Sequence, residues 1–543
     1  MDEGLNTGGW TVNRLLSLEI IRSSWWPVFY LATLFSILSS VSLPAQQTEK
    51  AKLVAADGMD YDWLGSSVAV SGDYAVVGAH KDDIQDTNEG SAYVYWFNGV
   101  YWEEQQKLIA SDGENLDWFG YSVAISDNFI MVGAPKEKDS GQVQRGAVYV
   151  FELTGSSWNE VDKITPDVGE GFGHSIAMSS GVAIIGAPYG DGNDTSSGVV
   201  YIYRNLSGNW IKEQRIWASD GAYGDDYGGA VAISGDRIVV GAYEDEDFGP
   251  LTGSVYTYSF GGSQWSGERK LLASDGNSFD RFGESVAISG EVIVVGAKSK
   301  ERGVFYWPGT AYVFRRSGSS WQEEQRLLSS DLWEFDYFGA SVAINGDTVA
   351  IGCPMDDDSA GQGGSVYLFQ FDGNSWNEDR KLLASDAGGG DELGWAVALT
   401  SEWILTGSHL HDVQGTEAGA AYLFELIPTP PAPFELAVTP YPLQGGQIGT
   451  FEVTGGTPSE IAWLIYSLDG GSCAEFIPAL NVIVDVCDPY GQVGNPLQQG
   501  MTDAGGQVRW DFIIPGVGAT QSIWFQAVQK NRVTPVVATS ILP

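Results

Sequence analysis

Three features of the sequence predict an all-β chain. They describe a seven-bladed β-propeller of four-stranded blades, its ring closed by an N-terminal strand, followed by a small C-terminal β-sandwich-like domain. The first feature is a repeat. Gly65 recurs as Gly120, Gly173, Gly228, Gly283, Gly339 and Gly394, at spacings of 53 to 56 residues, and a second glycine follows each by thirteen residues, from Gly78 to Gly407. Self-similarity at one long period marks a repeat architecture. The second feature is the content of each repeat: four short runs rich in Val, Ile, Tyr and Phe, separated by turns. In the second repeat these are residues 122–126, 129–134, 147–153 and 158–165. Four antiparallel strands in a unit of this length fit one propeller blade. The third feature is composition. Seventy glycines and 12% aromatic residues suit many short strands joined by tight turns.

Residues 1–46 stand outside the repeats. Arg14 and Arg22 precede an uncharged run with an apolar centre from Trp25 to Val41, and small residues follow up to Ala45. This pattern predicts an export signal cleaved near Ala45; the alternative is an uncleaved membrane anchor, since the run is almost long enough to span a bilayer. Either places the repeats outside the cytoplasm. The propeller is expected over 47–426. Its first two strands in each repeat are joined by turns such as Ser71-Gly72-Asp73 and Asn345-Gly346-Asp347, where glycine supplies the positive φ of a tight hairpin. The fourth strand is the most polar, as an outer edge requires if it is not to pair with other chains. A tryptophan marks its start six times, at Trp102, Trp158, Trp210, Trp265, Trp321 and Trp376, each five residues before a Lys or Arg. The seventh repeat lacks a fourth strand, whereas residues 50–57 match the end of one. The N-terminal segment is therefore expected to complete the seventh blade and lock the ring.

A proline-rich linker follows at 427–433, with Pro428, Pro430, Pro431 and Pro433. Residues 434–543 show strand-like runs at 450–453, 462–467, 482–487, 508–514 and 523–528, which read as the β-sandwich-like domain. Cys473 and Cys487 make a plausible disulfide in an oxidising compartment. Cys353, standing for the alanine of a Gly-Ala-Pro, reads as a small buried apolar residue.

Phe119-Gly120 followed by Gly133-Ala134-Pro135, repeated with constant spacing, resembles the FG-GAP repeats of the integrin alpha-chain N-terminal propeller. It is most similar to the bacterial extracellular form of that repeat. The resemblance covers residues 50–426 and implies extracellular recognition or adhesion rather than a reaction. Integrin-type repeats often carry a calcium loop between the two motifs. Here that place holds only the Ser-Gly-Asp turn, which cannot supply the six to eight oxygens calcium takes. That calcium site is therefore not carried over.

Function is read from charge and loops. The formal charge of −42 argues against nucleic acid as a partner. Strand direction puts the loops that follow the fourth strands, and those joining the second and third, on one face of the ring. Every repeat brings an acid there three residues before its first glycine (Asp62, Asp117, Glu170, Asp225, Asp280, Asp336, Asp391) and an earlier one (Asp57, Asp112, Asp167, Asp220, Asp275, Asp331, Asp386). Since these recur in every blade, the expectation is that they serve their own turns, with divalent cation binding as the lesser alternative. His80 and His409, with Asp412, could form a metal site across the closure, although loop histidines are more often solvated. Sequence motifs for a hydrolase nucleophile, a zinc protease or a phosphate-binding loop are absent.

The segment that departs furthest from the repeat is in the fifth: Lys298, Lys300 and Arg302 bring positive charge, and Phe305, Tyr306 and Trp307 bring three consecutive aromatics. These six are the expected ligand-binding residues. No cofactor is expected. The chain is expected to be a secreted or cell-surface, non-enzymatic protein that binds an extracellular protein or glycan, with a membrane contact only if the leader is uncleaved. The alternatives are a propeller-type polysaccharide lyase or hydrolase, or a purely structural surface component.

Overall fold

The computed structural model describes residues 47–426, apart from 85–86, 140, 168–169, 304 and 332, together with the backbone of strands between 435 and 541. Seven four-stranded antiparallel sheets follow one another over 51–425. In the second blade the strands are Ser122–Ser126, Phe129–Ala134, Ala147–Thr154 and Ser157–Ile164, within one residue of the expected runs. The sheet order is sequential, so the polar fourth strand is the edge.

The seventh blade closes as expected. Its strands Val397–Leu399, Trp403–Ser408 and Ala420–Glu425 receive Ala51–Leu53 as the fourth, with Ala51 opposite Leu423 and Leu53 opposite Ala421. Lys52 on this strand ion-pairs with Asp386 at 2.6 Å, filling the place that Lys107 or Lys163 takes in other blades.

The ring has no single core. A separate buried cluster lies at each of the seven blade–blade seams. The outer tryptophans belong to these seams: Trp158 packs edge-on to Tyr74 of the preceding blade, and Trp210 to Phe129. Full burial of a large apolar side chain is worth roughly 1.5–3 kcal/mol, so these anchors weld the rim. Outer strands are also clasped by glutamines. Gln106 accepts from the Trp158 N–H and donates to its carbonyl, and Gln214 and Gln325 do the same to Trp265 and Trp376.

The two glycines of the repeat meet at the seam. The first has φ between +87° and +97° in every blade, a conformation only glycine adopts without strain. Its N–H donates to the carbonyl of the second glycine of its own blade at 2.9–3.1 Å. Its carbonyl lies over the Cα of the second glycine of the preceding blade, where an added Cβ would overlap the oxygen. In five blades a serine at the start of the first strand donates to the same carbonyl, as Ser122 does to Gly173 at 2.6 Å.

Beyond the ring, the five expected C-terminal runs coincide with strands Ile448–Thr454, Ile461–Ser467, Val482–Cys487, Val508–Ile513 and Gln521–Gln529. Further strands, including Glu435–Thr439, Gly471–Ile477 and Asn495–Met501, were not anticipated; together the strands form three sheets. The expected sandwich packing, the Cys473–Cys487 disulfide, the linker at 427–433 and the leader at 1–46 lie outside the described residues.

Two tests follow from the seams. Gly186→Ala places a methyl against the Gly228 carbonyl and should cost about 1–3 kcal/mol, the scale of overpacking. Gly361→Ala, where nothing lies within 4 Å, should leave the melting temperature within the spread of surface substitutions, about 0.5 kcal/mol. Equal effects would show that the seam tolerates a side chain. Deleting residues 47–55 removes the closing strand and should lower stability by several kcal/mol, a large part of a typical domain's total; an unchanged denaturation midpoint would refute ring closure by this strand.

Candidate functional site

The loop face is built on a three-residue clasp. A buried tyrosine on the third strand donates to the earlier loop aspartate in six blades: Tyr93 to Asp57, Tyr149 to Asp112, Tyr256 to Asp220, Tyr312 to Asp275, Tyr367 to Asp331 and Tyr422 to Asp386, all at 2.7–2.8 Å. A cation at the end of the fourth strand pairs with the same carboxylate, as Lys107 does with Asp57 at 2.8 Å. In four blades this ammonium also meets an acid four residues after the second glycine: Lys107 with Asp82, Lys163 with Glu137, Lys270 with Asp245 and Lys381 with Asp356. Burial pushes the Asp57, Asp112 and Asp220 carboxyls upward, but the lysine and tyrosine bonds outweigh it and hold them below the usual range.

The later aspartate closes its own turn. Asp62, Asp117, Asp225, Asp280, Asp336 and Asp391 each accept the backbone N–H of the residue three earlier at 2.5–2.7 Å. In these six blades both acids of the repeat thus have partners within the loop framework. Burial pushes Asp62, Asp117, Asp225 and Asp336 up to about 6.

The turn sets up the central mouth. The residue two before the first glycine has positive φ in all seven blades, and in six it is not glycine: Trp63, Trp118, Asp226, Arg281, Tyr337 and Glu392. A side chain held there costs energy locally and is aimed differently from its neighbours. With the residues just after each glycine, these positions form a run of aromatic contacts. Trp63 touches His409 and His80, His80 touches Trp118 and Tyr121, and Tyr121 touches His174, with ring centroids 5.0–5.6 Å apart. Lys81 and Lys136 lie over the faces of Trp63 and Trp118, at 2.9 and 3.2 Å from the ring centroids, a cation–π arrangement. Further round, Phe279, Arg281, Lys298, Trp307, Tyr337 and Trp395 line a pocket of about 630 Å³. Sequence reasoning missed this mouth. The signal was present as the few positions beside each glycine that change type from blade to blade, from Trp63 to Gly171 to Arg281, while the rest of the motif repeats.

The six residues expected from the fifth repeat are divided by the structure. Lys298 pairs with Glu284 at 2.6 Å and, with Trp307, lines the mouth pocket. Trp307, at φ +52°, stacks near Tyr337. Tyr306 is exposed, and Phe305 is half-buried against Trp333. Lys300, Arg302 and Phe305 line a second pocket. Lys300 departs from the exposed charge expected of it. It is only 4% exposed, and its ammonium is bound to the Asp280 carboxylate at 2.7 Å and to the Asp275 carbonyl.

His80 and His409, expected to be solvated, are instead buried. His80 and His409 both pack at near right angles to Trp63, and Asp412 accepts the Glu417 N–H instead of turning toward them. Burial lowers both histidines to about 3 and His174 to about 4, so they are neutral. Among the described residues, no group of three or more His, Cys, Asp or Glu side chains is arranged to hold a metal ion. Cys353 is buried, as expected, with Sγ 3.2 Å from the Asp336 carbonyl. Among the described residues, no helix is long and apolar enough to cross a membrane.

The FG-GAP repeat matches seven times, at residues 47–95, 102–151, 158–203, 210–258, 265–314, 321–369 and 376–424. The first match begins on the closing segment and the last ends on the strand it pairs with.

The raised aspartates carry a pH signature. A carboxyl lifted by burial favours the folded state below its unfolded value, and that contribution is lost as pH rises through about 6. Asp117 uses one oxygen for the Glu114 N–H, while its other has no partner. Asp117→Asn keeps the bond and removes the buried charge. It should melt higher than the parent at pH 7.5, and the gap should narrow as pH falls through about 6 and close only below the unfolded value of 3.8. A gap that is constant with pH, or of opposite sign, would show that Asp117 is not titrating near 6.

Proposed function

The chain belongs to the FG-GAP repeat family, and from that premise we propose that it is a non-catalytic recognition protein that binds a glycan outside the cell through the mouth of its propeller. The family occurs in extracellular and surface proteins and is generally without catalytic activity. The observation that carries the reading is the pocket of about 630 Å³ beside the mouth. Its size is that of a small-ligand site. The partly exposed aromatic side chains of Phe279 (55% exposed), Trp307 (40%) and Trp395 (40%) line it, beside the polar groups of Arg281 and Lys298, the latter paired with Glu284. Flat apolar faces interleaved with hydrogen-bonding groups match a sugar ring, which has C–H faces and an equatorial fringe of hydroxyls. The rigid, symmetric ring beneath supplies the scaffold on which binding loops are commonly carried.

A catalytic reading would rest on Glu392. Burial pushes its carboxyl up to about 7, and it lies 3.9 Å from the His409 Nε2. A general acid must titrate in that range, but His409 beside it is held neutral.

The test is binding of neutral oligosaccharides by calorimetry to the parent, Trp307→Ala and Trp395→Ala. Each substitution should weaken binding by about tenfold or more, the scale of an aromatic anchor, with an unchanged melting temperature because both rings are partly exposed. Binding indifferent to both substitutions, or no saccharide bound at all, would overturn the reading. Cleavage products that vanish in Glu392→Gln would replace recognition by catalysis.

A further inference from the structure

The fifth blade inverts the charge of the clasp that the other blades use. In four blades, an acid (Asp82, Glu137, Asp245 or Asp356) stands four residues after the second glycine and shares a lysine with the loop aspartate. In the fifth blade that place is Lys300, and the lysine of the fourth strand is replaced by Arg326, which pairs with Asp275. Asp280 also pairs with Lys300. The substitution sets two cations, Lys300 and Arg326, against Asp275 and Asp280, where the first blade sets Lys107 alone against Asp57 and Asp82, on a chain of formal charge −42.

A pocket of about 590 Å³ opens over this node. Arg302 lines it, partly buried, with no carboxylate paired to its guanidinium among the described residues. Burial, and then the like charge of Arg326, lowers its proton affinity below the usual arginine range. Ser329 also lines the pocket. Its side chain is 93% buried, and its hydroxyl oxygen has no hydrogen-bond partner. A hydroxyl withdrawn from water without a partner is costly, and a partly buried guanidinium without a carboxylate keeps its donors open. An oxyanion beside Arg302 accepts two parallel bonds from its guanidinium, and Ser329 is the hydroxyl of the same pocket lining left to donate a third. The acids at the site are committed or peripheral: Asp275 to Arg326 and Tyr312, and Glu301 exposed at the rim. Glu301 also lines the mouth pocket, so residues 298–303 and 305, 307 and 308 form a wall shared by the two cavities.

We propose that this second pocket is an oxyanion subsite that takes the sulfate ester or carboxylate of an acidic saccharide whose neighbouring sugar rings occupy the mouth. The assignment of a saccharide rests on the function proposed above; the oxyanion chemistry rests on Arg302, Arg326 and Ser329 alone. The subsite makes the ligand a charged polymer, and it supplies specificity where the mouth supplies stacking. Phosphate would satisfy the same donors, so the probes must separate the sources.

The experiment uses the full chain with inorganic sulfate, inorganic phosphate, a sulfated galactan oligosaccharide, its desulfated counterpart and a galacturonan oligomer of equal length. Calorimetry at fixed ionic strength should show the sulfated or uronate oligomer binding about tenfold or more tighter than the neutral one, the scale of a charge-assisted bond. Arg302→Gln and Ser329→Ala should erase that difference while leaving neutral binding and the melting temperature unchanged. Inorganic sulfate should compete for the charged oligomer only. If sulfate or phosphate binds in an Arg302-dependent way but no saccharide binds, the subsite stands and the glycan reading falls. If charged and neutral oligomers bind alike, or Arg302→Gln changes neither, the subsite is refuted and the glycan reading is untouched.

Discussion

Everything in the ring depends on the approach of two backbones at each seam. The first glycine of one blade places its carbonyl over the second glycine of the blade before it, so closely that no side chain fits between them. The same residue turns with φ near +90° and donates its N–H to its own blade's second glycine. One contact thereby sets the angle of the turn, the spacing of the blades and the start of the first strand. The glycines of the repeat are a steric requirement of the seam. It is repeated seven times around a closed ring, where any widening must be absorbed elsewhere.

With the seam fixed, the loop face can carry a large negative charge without flying apart. In six blades the earlier aspartate is tied to a buried tyrosine and a strand-end cation, and the later one closes a turn on a backbone N–H. The acids are thus spent on holding loops in place. The deviation in blade five matters for this reason. Lys300 stands where four blades place an acid and is itself bound to Asp280, so the cation left without a carboxylate at the pocket is Arg302.

The mouth follows from the same turn. A residue forced to positive φ two places before the first glycine has its side chain aimed by the backbone rather than by its neighbours. Because the backbone fixes the direction, the side-chain type is free to differ between blades. The result is an asymmetric arc of Trp, Tyr and His on one side and a mixed aromatic and charged pocket on the other. Symmetry in the scaffold and asymmetry in the lining are what a recognition surface needs.

The sequence by itself determined the ring. The period of the paired glycines, the four runs per repeat and the stray fourth strand at 50–57 fixed the blade count, the strand order and the closure, because each is a local pattern with a steric cause. It also determined that acids present in every blade would serve the blade. Tertiary structure alone decided which loop residues share a cavity. Lys298 and Trp307 belong to one pocket, Arg302 to another and Lys300 to the buried framework, although all lie within ten residues. Whether a loop side chain points to the mouth or the rim depends on φ at single positions and on partners fifty residues away in the next blade, and neither is written in a local pattern.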